Sequence, residues 1–425
     1  MIMKDNFRRL FTNSEFSEWY YTLVILGYIA TVFVSAMRPG VFATGLIILV
    51  IAELIIKKKM NIHSVMDVLI VVYFIYNALS VIWLTKGGMP VNIYTGEFAV
   101  SLLPVVFYFV GSRIADKADN FYKKFLLALA VLGIVSLILY AFAPQFYCDY
   151  LVKWSYMSKA DAATCRVRMQ SVTGCTVFGA LMVMGMCAGV HFVGVVGEDK
   201  ESKNKRIFGV CAVVFSMFFA FMSNQRACMV AAIIVLIYIN YLIFARFDNI
   251  PKKYLAIEIV GLVVVFVAIC IIRYDFALKI WFRLASLPTA VSERSEQWVA
   301  AVNNMYSSWF GNGLGANGHK ALGIEGAHVI ADGGLIKMYC EQGVLGFSLF
   351  VYIIFLTIKK SLGNIGKLYA EFGFIIVALL LSIGSNILAF QLTTPIFWFA
   401  IGRCWVKLNE DEKLRSILSK KEKAS

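Results

Sequence analysis

Charge is scarce in this sequence. Asp, Glu, Lys and Arg make up 16% of its 425 residues, and histidine occurs only four times. With so few imidazoles, no HExxH and no DxD pair outside the cytoplasmic face, nothing supports a metal site, and no cofactor is expected. A phosphate-cradling GxxxxGK[ST] loop is missing, which excludes a P-loop nucleotide site, and a Ser-His-Asp hydrolase would need a GxSxG element that is also missing. There is no internal repeat, no low-complexity linker and no sign of a separate soluble domain. No cleavable signal peptide is expected, because the first apolar span is long and lacks a small-residue cleavage pattern.

What the chain does have is apolar surface: 60% hydrophobic residues, 15% aromatics and a mean hydropathy of +0.75. Apolar runs of about 17–25 residues, each enough to cross roughly 30 Å of hydrocarbon as a helix, recur from residue 19 to residue 406. They predict an all-α polytopic membrane protein with about twelve spans, forming a single integral membrane domain over 1–425. The expected spans are 19–36, 40–56, 64–84, 97–112, 121–142, 171–195, 207–223, 228–245, 254–272, 334–357, 370–388 and 391–406.

Orientation follows from the basic residues, which accumulate on the cytoplasmic side. With the N-terminus inside, 26 of the 40 Lys and Arg fall in cytoplasmic segments or, as Lys123 and Lys124, at the inner end of a span, and 12 fall outside, leaving Lys337 and Arg403 deeper within spans. The net charge of +14 is therefore a topology signal that needs no nucleic acid, and it favours contact with anionic lipid heads. Both termini are expected in the cytoplasm, with 407–425 as a solvated tail containing the acidic run at 409–412.

This topology puts the connection 273–333, between the ninth and tenth spans, on the outer face. So long a connection is usually functional, and Trp281, Phe282, Trp298, Tyr306, Trp309 and Phe310 give it material to bury. A short surface helix is expected over 292–306, where Trp298, Val299 and Val302 follow helical spacing. A second outer loop, 143–170, carries Cys148 and Cys165, which can pair in an oxidising compartment.

Four arginines fall at the outer boundary: Arg166 and Arg168 before the sixth span, Arg226 in a short turn, and Arg294 on the surface helix. A guanidinium fork suits bidentate contact with phosphate oxygens, so together they suggest a lipid diphosphate site. The alternative, strongest for Arg166 and Arg168, is interfacial snorkelling. Gly311, Gly313 and Gly315 predict a turn whose amides approach a phosphate or sugar, although the pattern lacks a dinucleotide-site context. His328 and Asp332, four apart, share a helix face if the tenth span begins early, and either then takes a proton from an incoming hydroxyl. His319 is read as structural or substrate-contacting, and Glu341 as a helical carboxylate needing a polar partner.

Taken in order, SNQRA at the short turn, Arg294 to Trp298, GNGLG and HVIADGGLIKMYCEQGVLG resemble the Wzy-type polymerases of the O-antigen ligase and polymerase superfamily. The motifs cover roughly 165–350. The resemblance implies a metal-independent inverting glycosyltransferase in the bacterial cytoplasmic membrane, transferring a growing glycan from undecaprenyl diphosphate to a sugar hydroxyl of another lipid-linked repeat unit. It implies diphosphate binding by Arg226 and Arg294, and a flippase and a chain-length regulator as partners; the residues themselves add expected substrate contacts at Arg166, Arg168, Trp298, Gly313, Gly315 and His319. Ligases of the superfamily carry His-Asn shortly before the glutamate-containing helix, where this chain has Asp332-Gly333. That departure favours a polymerase and leaves the proton acceptor open between His328 and Asp332. A ligase and a polysaccharide flippase are the competing readings.

Overall fold

The structure, a computed structural model, describes residues 15–34, 37–113, 118–153, 168–195, 199–245, 278, 281–282, 285 and 287–406. Among them there is no strand, and nine helices are long and apolar enough to cross a membrane. In chain order the helices are α1 (Phe16–Phe33), α2 (Pro39–Ile56), α3 (Val65–Lys86), α4 (Val91–Arg113), α5 (Ala118–Phe142), α6 (Pro144–Lys153), α7 (Cys175–Val193), α8 (Lys200–Met222), α9 (Arg226–Ala245), α10 (Leu287–Asn303), α11 (Gly334–Gly363), α12 (Ile365–Gly384) and α13 (394–406). The nine candidates are α2 to α5, α7 to α9, α11 and α12. Helices α1 and α13 match the first and last expected spans but fall outside that set, and the expected span 254–272 lies outside the described residues. The chain is thus an all-α polytopic membrane architecture.

Helix α7 is the hub. It is apolar all round and almost wholly buried, as an element must be when it has neighbours on every side, and it packs against α5, α8, α9 and α12. Its approach to α8 is set by glycine. A Cβ on Gly209 would sit 2.7 Å from the Gly189 carbonyl oxygen, so the two backbones touch as small-residue crossings allow in lipid. Gly209→Leu should separate α7 from α8 and lower the yield of monodisperse protein in detergent; an unchanged melting temperature would refute this packing argument.

Buried carboxylates tie helices together at one end. Glu53 of α2 accepts the free amides of Phe16 and Ser17, both at 2.9 Å, so one helix caps another. Asp67 closes a capping box with Ser64 at the start of α3 and also accepts from Tyr108 Oη at 2.6 Å and Arg113 Nη2 at 3.0 Å.

At the opposite end α11 is broken. Gly343 has φ +63° and ψ −173°, a conformation essentially reserved for glycine. The interruption frees backbone groups that hydrocarbon cannot satisfy, and the connection supplies their partners. Asn312 and Gly313 amides donate to the Cys340 and Glu341 carbonyls at 2.8 and 2.9 Å, while Val344 and Leu345 amides donate to the Ser308 and Trp309 carbonyls at 2.9 and 3.1 Å. A Cβ at Gly343 would lie 2.4 Å from the Trp309 oxygen. Gly343→Ala should therefore cost at least about 1–3 kcal/mol, read as a lower melting temperature of the purified protein. An equal melt would mean that the break is dispensable.

Candidate functional site

A helix is present where one was expected over 292–306: α10 spans Leu287–Asn303. Ala301 packs on Ile330 and Cys340, with Trp298, Met305, Ile336 and Tyr339 closing a small satellite core that docks the helix against α11. Trp298 Nε1 donates to the Asp332 carbonyl at 2.7 Å, and Gly333 leaves room for its ring, since a Cβ there would lie 2.6 Å from that nitrogen. Trp298 thus holds the backbone ahead of α11.

Arg294 on this helix pairs with Asp332, Nη2 to Oδ2, at 2.7 Å. Both side chains remain about one-third exposed, at 30% and 36%, so the pair is accessible from solution. A Cβ added at Gly384, the end of α12, would lie 3.9 Å from both Arg294 Nη1 and the Ala227 Cβ. The start of α9, which carries Arg226 directly after the short turn, and the guanidinium of Arg294 therefore meet at the same place. A third segment joins them, because the Met169 amide donates to the Met222 carbonyl at 3.1 Å, laying the chain beside Arg168 against the Ser223–Gln225 turn. In that turn Asn224 takes φ +49°, which asparagine tolerates. Arg166 lies outside the described residues. Cys148, whose helix α6 reaches this end through a Tyr147 to Ser171 hydrogen bond of 3.5 Å, is disulfide-bonded, and the expected partner Cys165 also lies outside the described residues.

Two expectations need correction. His328 and Asp332 do not share a helix face, because α11 begins only at Gly334 and residues 328–333 form an irregular lead-in. Gly333, at φ +128°, cannot continue a helix backwards.

The glycine turn also has a different occupant. Gly311, Gly313 and Gly315 do adopt φ of +78°, +86° and +91°, but their amides are already used. Gly311 donates to Ser307 O, Gly313 to Glu341 O and Leu314 to Ser80 Oγ, while the Gly315 and Asn317 amides both reach the Glu341 carboxyl. Gly315 and Asn317 therefore hold the chain's own carboxylate and Gly313 the main-chain carbonyl of the same residue, so the amides of Gly311, Gly313 and Gly315 are all engaged within the chain. His319 opens a short exposed turn over α4.

Beneath this turn lies a group of charges that sequence reasoning missed. Lys337 Nζ sits 2.5 Å from Glu97 Oε1 and 3.2 Å from Glu341 Oε2, with the three residues only 3%, 4% and 1% exposed. Ser101 Oγ adds a hydrogen bond of 2.5 Å to Glu97. Beside them Lys320, outside the membrane-spanning segments, has its pKa lowered by partial burial, with Glu97 opposing that shift. From Glu341 the network reaches the candidate base: Asn317 Nδ2 donates to the His328 carbonyl at 2.7 Å, and Asn386 Nδ2 donates to the carbonyls of Ile330 and Ala331 at 2.9 and 3.1 Å. The available signal was charge inside apolar spans, which is costly unless paired or functional.

Next to the turn, an open groove of about 560 Å³ is lined by Ile82, Trp83, Lys86, Tyr306, Ser307 and Phe310. The Trp83 ring lies 5.4 Å from Tyr76 and 5.5 Å from Phe310, giving a continuous aromatic wall. No group of three or more metal-ligating His, Cys, Asp or Glu side chains occurs among the described residues. The chain matches no protein-family model, and no curated protein matches it.

Proposed function

We propose that this chain is a polysaccharide repeat-unit polymerase of the bacterial cytoplasmic membrane, with both termini in the cytoplasm. It transfers a growing glycan from undecaprenyl diphosphate to the hydroxyl of another lipid-linked repeat unit on the outer face. The observation that carries the reading is the meeting of the Arg226 turn, Arg294 and the segment after Arg168 at one end of the bundle. Arginine forks there suit a diphosphate, and stabilising the departing charge is the main task in such a transfer. The disulfide at Cys148 is further support, because disulfides persist on the oxidising side of a membrane.

In this reading the donor diphosphate lies against Arg226 and Arg294, with the polyprenyl tail among the spans. Asp332, held 2.7 Å from Arg294, orients that guanidinium, and His328 is the group left to accept the proton. As the acceptor oxygen attacks the anomeric carbon, its proton passes to His328 and the carbon–oxygen bond to the diphosphate breaks, inverting the centre. Trp83, Tyr306 and Phe310 offer flat apolar faces to sugar rings.

The test is complementation of a deletion strain, followed by gel analysis of surface and lipid-linked glycans. A polymerase predicts loss of the ladder, with single repeat units still reaching the surface acceptor or accumulating on the carrier. Full-length polymer stranded on the carrier would identify a ligase. Single units trapped on the cytoplasmic side would identify a flippase.

A further inference from the structure

Three buried side-chain oxygens border one cavity at the break in α11. The cavity, about 30 Å³, is lined by Tyr73 and Asn77 of α3, Ser101 of α4, Lys337, Glu341 and Gln342 of α11 and Asn386 after α12, with apolar residues completing the wall. Asn77 Oδ1, Gln342 Oε1 and Asn386 Oδ1 are each inaccessible and without a hydrogen-bond partner among the described residues. All three residues are at least nine-tenths buried.

The amide orientations are set by what their nitrogens do. Asn77 Nδ2 donates to the Tyr73 carbonyl at 2.9 Å, Asn386 Nδ2 donates to two backbone carbonyls, and Gln342 Nε2 donates to the Tyr73 hydroxyl at 3.0 Å. Carbonyl oxygens accept only, so flipping Asn77 or Asn386 would bring two acceptors together. Asn77 and Asn386 thus turn fixed acceptors to the cavity, joined by Gln342 Oε1 when its nitrogen donates to the Tyr73 hydroxyl, and buried acceptors require a donor or a cation.

We infer that Asn77, Gln342, Asn386 and Glu341 form a binding site for a small monovalent cation of the sodium class. The space holds roughly one or two water-sized particles, which excludes an organic ligand. Its neutral amide oxygens and single carboxylate, already shared with Lys337, are too weakly charged for calcium or magnesium. The charges facing the site are Glu341, Lys337 and Glu97, and behind them the exposed Lys320; the buried three leave one negative charge to balance.

Occupancy would tie α3 and α11 to Asn386 and Glu341, the residues that hold the backbone at 330–331 and the Asn317 amide. The cation would thereby brace the lead-in to α11. The inference does not depend on the reaction proposed above, because its readout is ion binding.

The experiment is ²²Na⁺ binding to the purified full-length protein in detergent at constant ionic strength, with choline chloride as the balancing salt. The expected result is saturable binding, displaced by NaCl and not by choline chloride. Asn77→Leu should weaken it about tenfold or more, whereas Asn77→Asp, which keeps an oxygen and adds charge, should retain it and allow Ca²⁺ to compete. Absence of saturable binding by monodisperse wild-type protein would overturn the inference and mark the cavity as a water site. Equal binding by Asn77→Leu would overturn it too. If Asn77→Leu does not fold, Asn77→Asp decides: loss of Na⁺ binding, or no competition by Ca²⁺, contradicts the assignment.

Discussion

Arg294→Ala should reduce polymer formation by about two to three orders of magnitude while leaving the protein in the membrane, because it removes a charge-stabilising donor from the leaving group. The side chain is partly exposed and pairs with Asp332, so the fold loses little when it goes; a surface pair of this kind contributes about 0–1 kcal/mol. Asp332→Asn should be milder, since it keeps an oxygen for Arg294 and does not touch the carbonyl bonded to Trp298. His328→Ala should lose about 10²–10⁴-fold, the range of a general base. Relative rates in isolated membranes, normalised to protein, separate the two candidates. If Asp332→Asn proved as damaging as His328→Ala, Asp332 would have to be the base.

Lys337→Met should remove most of the folded protein. It strands Glu97 and Glu341 in the interior without their shared cation, and breaking a buried ion pair costs about 3–5 kcal/mol. Glu341 also binds the amides of Gly315 and Asn317, so the connection should loosen along with α11. Adding Glu97→Gln and Glu341→Gln to Lys337→Met should recover much of the folded yield, because a neutral trio carries no uncompensated charge. Fluorescence-detected size exclusion and thermal melting read both effects. A single variant that elutes and melts like wild type would show that the triad does not support the fold.

The spans were legible because hydrocarbon thickness imposes both a length and a composition on each helix. The short turn at Ser223–Gln225 and the surface helix around Trp298 were legible for similar reasons, one as a polar interruption and the other as an amphipathic period. The break at Gly343 was not, since the apolar run over 334–357 continues across it and composition carries no trace of a positive φ. The alternating glycines signalled that backbone conformation correctly at 311, 313 and 315 but not what the turn would enclose. Glu97 and Lys337 are 240 residues apart, so no local pattern could pair them, although each was conspicuous as a charge at or within an apolar span. The lead-in to α11 was misjudged for a local reason: Gly333 and Gly334 end the helical pattern sooner than the spacing of His328 and Asp332 suggested.

In the function proposed here, the Arg226 and Arg294 end of the bundle elongates a lipid-linked glycan. The most direct test is elongation in isolated membranes, using lipid-linked repeat units extracted from the deletion strain as the only added substrate and a gel of the products over time. The expected result is a ladder that lengthens with wild-type membranes and is lost with Arg294→Ala or Arg226→Ala at equal protein. A ladder of unchanged length and yield with those variants would contradict it, as would wild-type membranes that leave the repeat units unextended.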